Sequence, residues 1–341
     1  MKRRVLLVGL VVVVTIAVAV GFGAVRCRDS VALNDRVGEV FEIEPTESYW
    51  RISWRLAERG FIDHPAYLWA YTVLHPKLFK LRAGEYRVEP NERLIDFVRA
   101  VHEGRVWLHP VTLVEGWTVK AIRRYLNGCA FLDNDLSEVD DRDLLRVLNL
   151  PLDRAVPNTE GLWAAETFKV AKHTRQSSIL KQAFALQRKR LEDVWAQRDP
   201  SVSLANPYEA LILASLIERE TAAADERPLI ASVFYNRLAV HMRLQTDPTV
   251  IYALDDRYDG HLHHDDLSVD SPYNTYQHEG LPPGPIGLVG MASLQAALHP
   301  AHTGYVYFVA SGLADGRHQF STTLSEHNQA VKQFKARKES L

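Results

Sequence analysis

The feature that most constrains this chain is a run without a single charge from Val5 to Val25. As a helix, these 21 residues span about 31 Å at about 1.5 Å per residue, which matches the hydrocarbon thickness of a bilayer. A cleaved signal peptide is the competing reading. Its apolar region should be shorter, about 7–15 residues, and Gly21-Phe22-Gly23 offers only a weak small-x-small cleavage site. An uncleaved anchor over residues 5–25 is therefore the expectation. Lys2, Arg3 and Arg4 precede the run, whereas Arg26 and Arg28 follow it and Asp29 offsets them in part. The denser positive charge keeps residues 1–4 as a cytoplasmic tail and sends the rest of the chain across the membrane. Arg26 directly before Cys27 spoils the small-residue context of a lipidation signal.

The remaining composition narrows what the translocated part can do. Lys plus Arg is 40 and Asp plus Glu is 42, a formal charge of −2, so the electrostatic footprint of a nucleic-acid binder is missing. With 47% hydrophobic and 24% charged residues in 341, a globular body of about two domains is expected. An extracytoplasmic compartment lacks nucleotide supplies, and neither a Walker motif nor GxGxxG is present. Kinase and dehydrogenase readings fall, and no cofactor is expected. Two cysteines, Cys27 and Cys129, are too few for a disulfide framework or a thiolate zinc site and read as free thiols.

The periodicity predicts an α+β chain. After a linker at 26–36, a β-α-α-β order is expected within 37–105: a strand at Val37–Ile43, helices at Ser48–Glu58 and His64–Leu74, and a strand at Gly84–Val88. A helix at Leu94–His102 follows. This order resembles a LysM module, a small peptidoglycan-binding fold, although many small α+β units share it. Residues 106–206 read as a connecting region, with a strand over Val106–Val114, a turn at Glu115-Gly116, a helix capped by Thr118, and a long helix from Thr174 to Gln197. The acidic stretch Asp133–Asp143 reads as solvated surface. Residues 207–341 read as a mixed α/β catalytic domain. It has helices at Tyr208–Ala224 and Pro228–Leu238, and a third with Asp247 as N-cap and Pro248 at N1. A long irregular segment, Asp255–Gly290, comes before a helix at Ser293–Leu298 and strands at Val306–Ala310 and His318–Ser321.

One segment carries the chemistry. Eight uncharged residues, Ala210 to Ile217, lead straight into Glu218-Arg219-Glu220. A carboxyl on a buried helix is desolvated, which raises its pKa, and a carboxyl that stays protonated near neutrality can act as a general acid. Two residues apart on a helix, Glu218 and Glu220 point about 200° from each other, so they cannot form a side-by-side dyad. A structural reading stays open beside this one: both glutamates at the solvated end of a core helix, one paired with Arg219 or Arg237.

The runs ALILASLIERET, ASVFYNRL, MRLQTDPTVIYAL, SPYNTYQHEGLPPGPI, AALHPA, YVYFVA and HQFSTTLSEHN follow one another in this order. Together they resemble the endolytic murein transglycosylases, membrane-anchored bacterial enzymes that cut nascent peptidoglycan strands. The close match covers about residues 207 to 330. The resemblance implies that Glu218, the first Glu of the ExE motif, is the catalytic residue. Glu218 would protonate the glycosidic oxygen between N-acetylmuramic acid and N-acetylglucosamine, then take the proton of the muramic acid C6 hydroxyl as that oxygen closes on C1. The product is a 1,6-anhydro end, formed without water, and strand elongation ends there. One carboxyl can serve in turn as acid and base, where ordinary glycosidases need two.

The same motifs implicate Glu220, Gln245, Asp247, Tyr273, Asn274, Thr275 and Tyr276 as candidate substrate-binding residues. Aromatic faces with amide groups suit sugar rings, whereas Asp247 has an equally good reading as a helix cap. Gly280–Ile286 reads as a rigid turn that shapes the groove, and His318 and Asn328 as core hydrogen-bonding groups. One departure stands out. The family's EG…PDT region reads Glu160-Gly-Leu-Trp-Ala-Ala-Glu166-Thr167 here, with Glu166 in the place of the Asp. His261, His263, His264, Asp265 and Asp266 lack the spacing of a zinc motif and read as a polar loop, so no metal is expected.

The expected partners are glycan strands, the cytoplasmic membrane and, by resemblance alone, membrane-bound peptidoglycan synthases, with no nucleic acid. Two alternatives stay open on sequence: a murein hydrolase that uses water, and a non-catalytic wall-binding scaffold.

Overall fold

The structure is a computed structural model that describes residues 2–29, 37–66, 68, 69, 72, 80–90, 92–151, 155–313 and 315–339. It divides into two compact units. One comprises Met1–Pro110 with Lys169–His173, and the other Val111–Phe168 with Thr174–Leu341.

The first unit begins with α1 (Lys2–Asp29), which contains the expected membrane span. Leu10 to Val14, Ile16, Val18, Phe22 and Val25 on it are half or more exposed, and Val20 less so. Among the described residues, no helix is long and apolar enough to cross a membrane. Next come β1 (Val40–Ile43), α2 (Tyr49–Glu58), β2 (Gly84–Arg87) and α3 (Leu94–Glu103). Alternation sets β1, with Phe41 and Ile43 buried and Val40 and Glu42 half-buried. It pairs antiparallel with β2, Phe41 opposite Tyr86. Ser48 caps α2 by accepting from Arg51 N–H, and Gly104 ends α3 in the left-handed region at φ 74°. Phe41 packs edge-to-face on Phe61 and Phe97 at 5.7 and 6.1 Å, which centres a core with Ile52, Leu56 and Leu94. Of the helix expected at His64–Leu74, residues 67, 70, 71, 73 and 74 lie outside the described residues, and 66, 68, 69 and 72 are helical.

The second unit carries the motif-bearing residues. It contains β3 (His109–Leu113) from Val111 on, α4 (Val119–Gly128), β4 (Leu132–Asp133), α5 (Leu144–Val147), β5 (Glu166–Val170) as far as Phe168, and β6 (Thr174–Arg175). These are followed by α6 (Gln176–Ala196), α7 (Pro207–Glu220), α8 (Arg227–Ala239), α9 (Asp247–Leu254), α10 (Met291–Leu298), β7 (Tyr307–Ala310), β8 (His318–Ser321) and α11 (Leu324–Glu339). Thr118 caps α4 through Ala121 N–H, as expected. The hub is α7, started by Asn206 as N-cap and Pro207. Every residue from Ala210 to Ile217 is buried, so α7 can only be a central helix. It packs against α6, α8, α9 and α10. The hairpin of β7 and β8 pairs antiparallel, Tyr307 opposite Ser321.

One cap differs from expectation. Helix α9 starts at Asp247 with Thr246 as N-cap, and no side chain caps it. Asp247 is instead the first residue inside the helix, and its carboxylate accepts from Tyr276 Oη at 2.5 Å. Helix α7 likewise stops at Glu220, short of the expected Ala224, where Thr221 turns extended.

Candidate active site

Helix α7 ends by delivering Glu218 and Glu220 to different surroundings. The Glu218 side chain is only 5% exposed. Its Oε2 accepts from the Gly290 N–H at 2.9 Å, and its Oε1 lies 3.6 Å from Arg227 Nη2. Gly290 is the N-cap of α10, so the carboxylate faces the positive end of that helix. Arg227 opens α8. The tight turn between α7 and α8, with Ala223 N–H donating to Thr221 Oγ1, brings it beside Glu218. The pairing expected with Arg219 or Arg237 does not form. Arg219 donates to Gly116 O at 2.9 Å, while Arg237 donates to the carbonyls of Val306 and Leu244 at 2.7 Å each. Sequence neighbours on a helix diverge by about 100°, which carries Arg219 off the Glu218 face.

Around Glu218, two distant loops are stitched together. Gly116 N–H donates to Leu288 O at 2.8 Å and Leu288 N–H to Trp117 O at 2.7 Å. One helical turn before Glu218, Ser215 Oγ accepts from Ile286 N–H at 3.1 Å. A Cβ at Gly287 would come within 2.8 Å of Gly116 O, so only glycine permits this approach. The stitching sets Glu115 beside Gly290. A Cβ built on Gly290 would lie 2.5 Å from Glu115 Cδ and 3.0 Å from Glu218 Oε2. Those two atoms are therefore no more than 5.5 Å apart, the sum of the two distances. Burial raises the Glu115 pKa, and the neighbouring Glu218 charge adds to the rise. The sequence offered no signal for Glu115, Arg227 or Gly290. Glu115 reads as an ordinary turn residue, and its neighbour lies 103 positions away.

Glu220 sits on the other side of α7. Burial raises its pKa, against a hydrogen bond from Thr246 Oγ1 at 2.5 Å. Glu220, Gln245, Asp247 and Tyr276 share a cavity of about 510 Å³ with Arg237 and His318. Tyr273 lines a different cavity of about 530 Å³ with Glu160, Asn158 and Tyr252. Asn158 Nδ2 donates to both phenol oxygens, at 2.7 Å to Tyr273 and 3.0 Å to Tyr252. Asn274 and Thr275 are buried within their loop. Asn274 Nδ2 donates to Leu267 O and Val269 O, and Thr275 Oγ1 accepts from Thr246 N–H. His318 holds Glu226 with Nδ1 at 2.9 Å. Glu160 accepts twice from Val119 N–H, yet burial pushes its pKa up to about 8. Glu166 is occupied by Thr167 N–H and by Arg190. His263 faces Asp259 at 3.2 Å. Among the described residues, no group of three or more His, Cys, Asp or Glu side chains is placed to hold a metal ion.

The chain resembles several known proteins. Over 127 residues, 37% of this chain, it is 51% identical to an endolytic murein transglycosylase of Bacillus subtilis, covering 34% of that protein. Over 313 residues, 81% of this chain, it is 25% identical to an endolytic murein transglycosylase of Streptococcus pneumoniae, covering 54% of it. The matches thus span between a third and about half of these relatives' lengths. The 2.6 Å crystal structure of a YceG-like protein from Listeria monocytogenes superposes with a TM-score of 0.53 at 28% identity, over 85% of this chain and 98% of that one. The model of the YceG-like family matches residues 41–333, and with nearly the whole chain inside that match, this protein belongs to the YceG-like family.

Proposed function

We propose that this chain is an endolytic peptidoglycan transglycosylase that cleaves the bond between N-acetylmuramic acid and N-acetylglucosamine in nascent glycan strands and leaves 1,6-anhydro ends. The observation that carries the reading is Glu218, a nearly buried carboxyl between a helix N-terminus and one arginine. Such a group can give a proton to the glycosidic oxygen. The C1–O bond then breaks, and the C6 hydroxyl closes on C1. The Gly290 N–H and Arg227 hold the carboxylate that remains. The matching relatives' names favour the same chemistry.

The reading extends to the rest of the chain. Residues 5–25 act as a single membrane anchor with the N-terminus in the cytoplasm, so that a reporter fused after Leu341 is active only outside it. Residues 37–105 act as a LysM-like glycan-binding unit, residues 106–206 as the connection, and residues 207–341 as the catalytic domain. Gln245, Asp247, Tyr276 and Glu220 on one cavity and Tyr273 on the other supply sugar contacts, with Asn274 and Thr275 shaping their loop. Membrane-bound synthases supply the strand that is cut. The test is muropeptide analysis of glycan digested by the purified protein. Anhydro ends support the reading, reducing ends would make the protein a hydrolase, and no new ends would make it a scaffold.

A further inference from the structure

Two carboxyls, not one, converge at Gly290. Glu218 lies deep, and both its oxygens are engaged: Oε2 by the Gly290 N–H and Oε1 by the Arg227 guanidinium. Once it has given its proton away, the carboxylate left behind is stabilised by a donor and a positive charge. With both oxygens already facing a donor, Glu218 is poorly placed to take up the hydroxyl proton in the second half of the reaction. Glu115 is the opposite case. Its side chain reaches solvent although its carboxyl is partly desolvated, no hydrogen bond or ion pair to a described residue ties its carboxyl, and the turn that bears it is fixed by the backbone bonds to Leu288. Its Cδ is within 5.5 Å of Glu218 Oε2, by the same two distances from the Gly290 methyl position. Arg227 of α8 and Arg190 of α6 are the cations whose fields reach it.

The 1,6-anhydro bridge forms on the same face of the sugar ring that the leaving oxygen quits. Acid and base must therefore act from one side, close together, as these two groups stand. We propose that Glu115 is the base of the reaction, taking the proton of the muramic acid C6 hydroxyl while Glu218 supplies the proton to the leaving oxygen. The inference rests on the transglycosylase reading above and divides between two residues the duties that the family resemblance gives to Glu218 alone. The step balances. The Glu218 proton moves to the glycosidic oxygen, and the C1–O bond breaks with its electron pair on that oxygen. A lone pair of the C6 oxygen forms the new bond to C1, and the C6 hydroxyl proton passes to Glu115. The enzyme is left with its proton on the wrong carboxyl. Water at the exposed Glu115 returns it, and no co-reactant is consumed.

The test uses the full-length protein with Glu115→Gln, Glu115→Ala and Glu115→Asp variants, reading anhydro-ended muropeptides. The turn is exposed, so circular dichroism and thermal midpoints should match the native protein. The Gln and Ala variants should lose about 10²–10⁴-fold in turnover with little change in KM, and Asp should keep an intermediate rate. Sodium formate should restore Glu115→Ala at least tenfold over equal sodium chloride, because a small carboxylate can enter the vacated exposed site. It should not restore Glu218→Ala, which lacks an acid. Native-like turnover in Glu115→Gln would overturn the inference, as would a loss in Glu115→Ala that formate does not repair. If the native protein itself makes no anhydro ends, the transglycosylase reading fails instead.

Discussion

Replacing Glu218 by Gln keeps the shape of the side chain and an acceptor for the Gly290 N–H, but removes a carboxyl that can pass on a proton and that, when ionised, pairs with Arg227. At 3.6 Å and an effective dielectric of about 20, the lost attraction is about 4–5 kcal/mol. Arg227, 12% exposed, is left without its counter-charge, a change that costs about 3–5 kcal/mol where a buried pair loses one partner. Against this, the amide avoids the carboxylate's desolvation and relieves its repulsion of Glu115. A net loss of about 1–3 kcal/mol is expected, or about 2–4 °C of midpoint per kcal/mol in a unit of this size. Activity should fall much further. Removing an acid costs about 10²–10⁴-fold, or about 3–5 kcal/mol of barrier. The assay is muropeptide release by purified Glu218→Gln well below its midpoint, with circular dichroism to verify folding. Release within tenfold of the native rate from a folded variant would refute the role of Glu218.

Gly290→Ala should fold normally, since φ −76° and ψ 159° suit alanine and such a change is worth about 1 kcal/mol or less. Its methyl displaces the Glu115 carboxyl, so turnover should drop in the native background and hardly further in Glu115→Ala, a non-additive pair. Glu220→Gln should keep activity within about tenfold and lose little stability at neutral pH. Burial already favours the neutral acid there, and a larger activity loss would move the catalytic role to the Glu220 cavity. Glu160 is raised in the folded state to about 8, so between the unfolded carboxyl pKa and that value the native state binds the extra proton. Its contribution is present at low pH and is lost as pH rises through about 8. Urea titrations from pH 5 to 9 should show stability falling by a few kcal/mol, at about 1.4 kcal/mol per pKa unit, and Glu160→Gln should flatten the decline.

Much of the second unit was legible because its signals are local. Thr118 before a helical run acts within a turn of where it stands. The opposite orientation of Glu218 and Glu220 followed from helix geometry alone. Failures came where the partner is remote. Asp247 looked like a cap because the helix end lies beside it, but Tyr276 holds it from 29 residues on. Arg227 was passed over for Arg219 and Arg237 because the turn after Thr221 cannot be read as a direction in space. Glu115 was marked only as a turn residue, since its further meaning comes from two backbone hydrogen bonds to Leu288, remote in the chain. The candidate sugar-binding residues were read as one set, yet they fall on two cavities and a buried loop.

The stitching of Gly116 and Trp117 to Leu288 has a consequence for synthesis. Glu115, Glu218 and Gly290 meet only when segments about 175 positions apart in the chain close on each other, the slow kind of contact that must be bought with loop entropy before it returns anything. No nascent fragment ending before Gly290 contains the site. The proposed site thus stays incomplete while the ribosome works through the rest of the chain, and forms late, once the segment around Leu288 has emerged and the two loops have locked together.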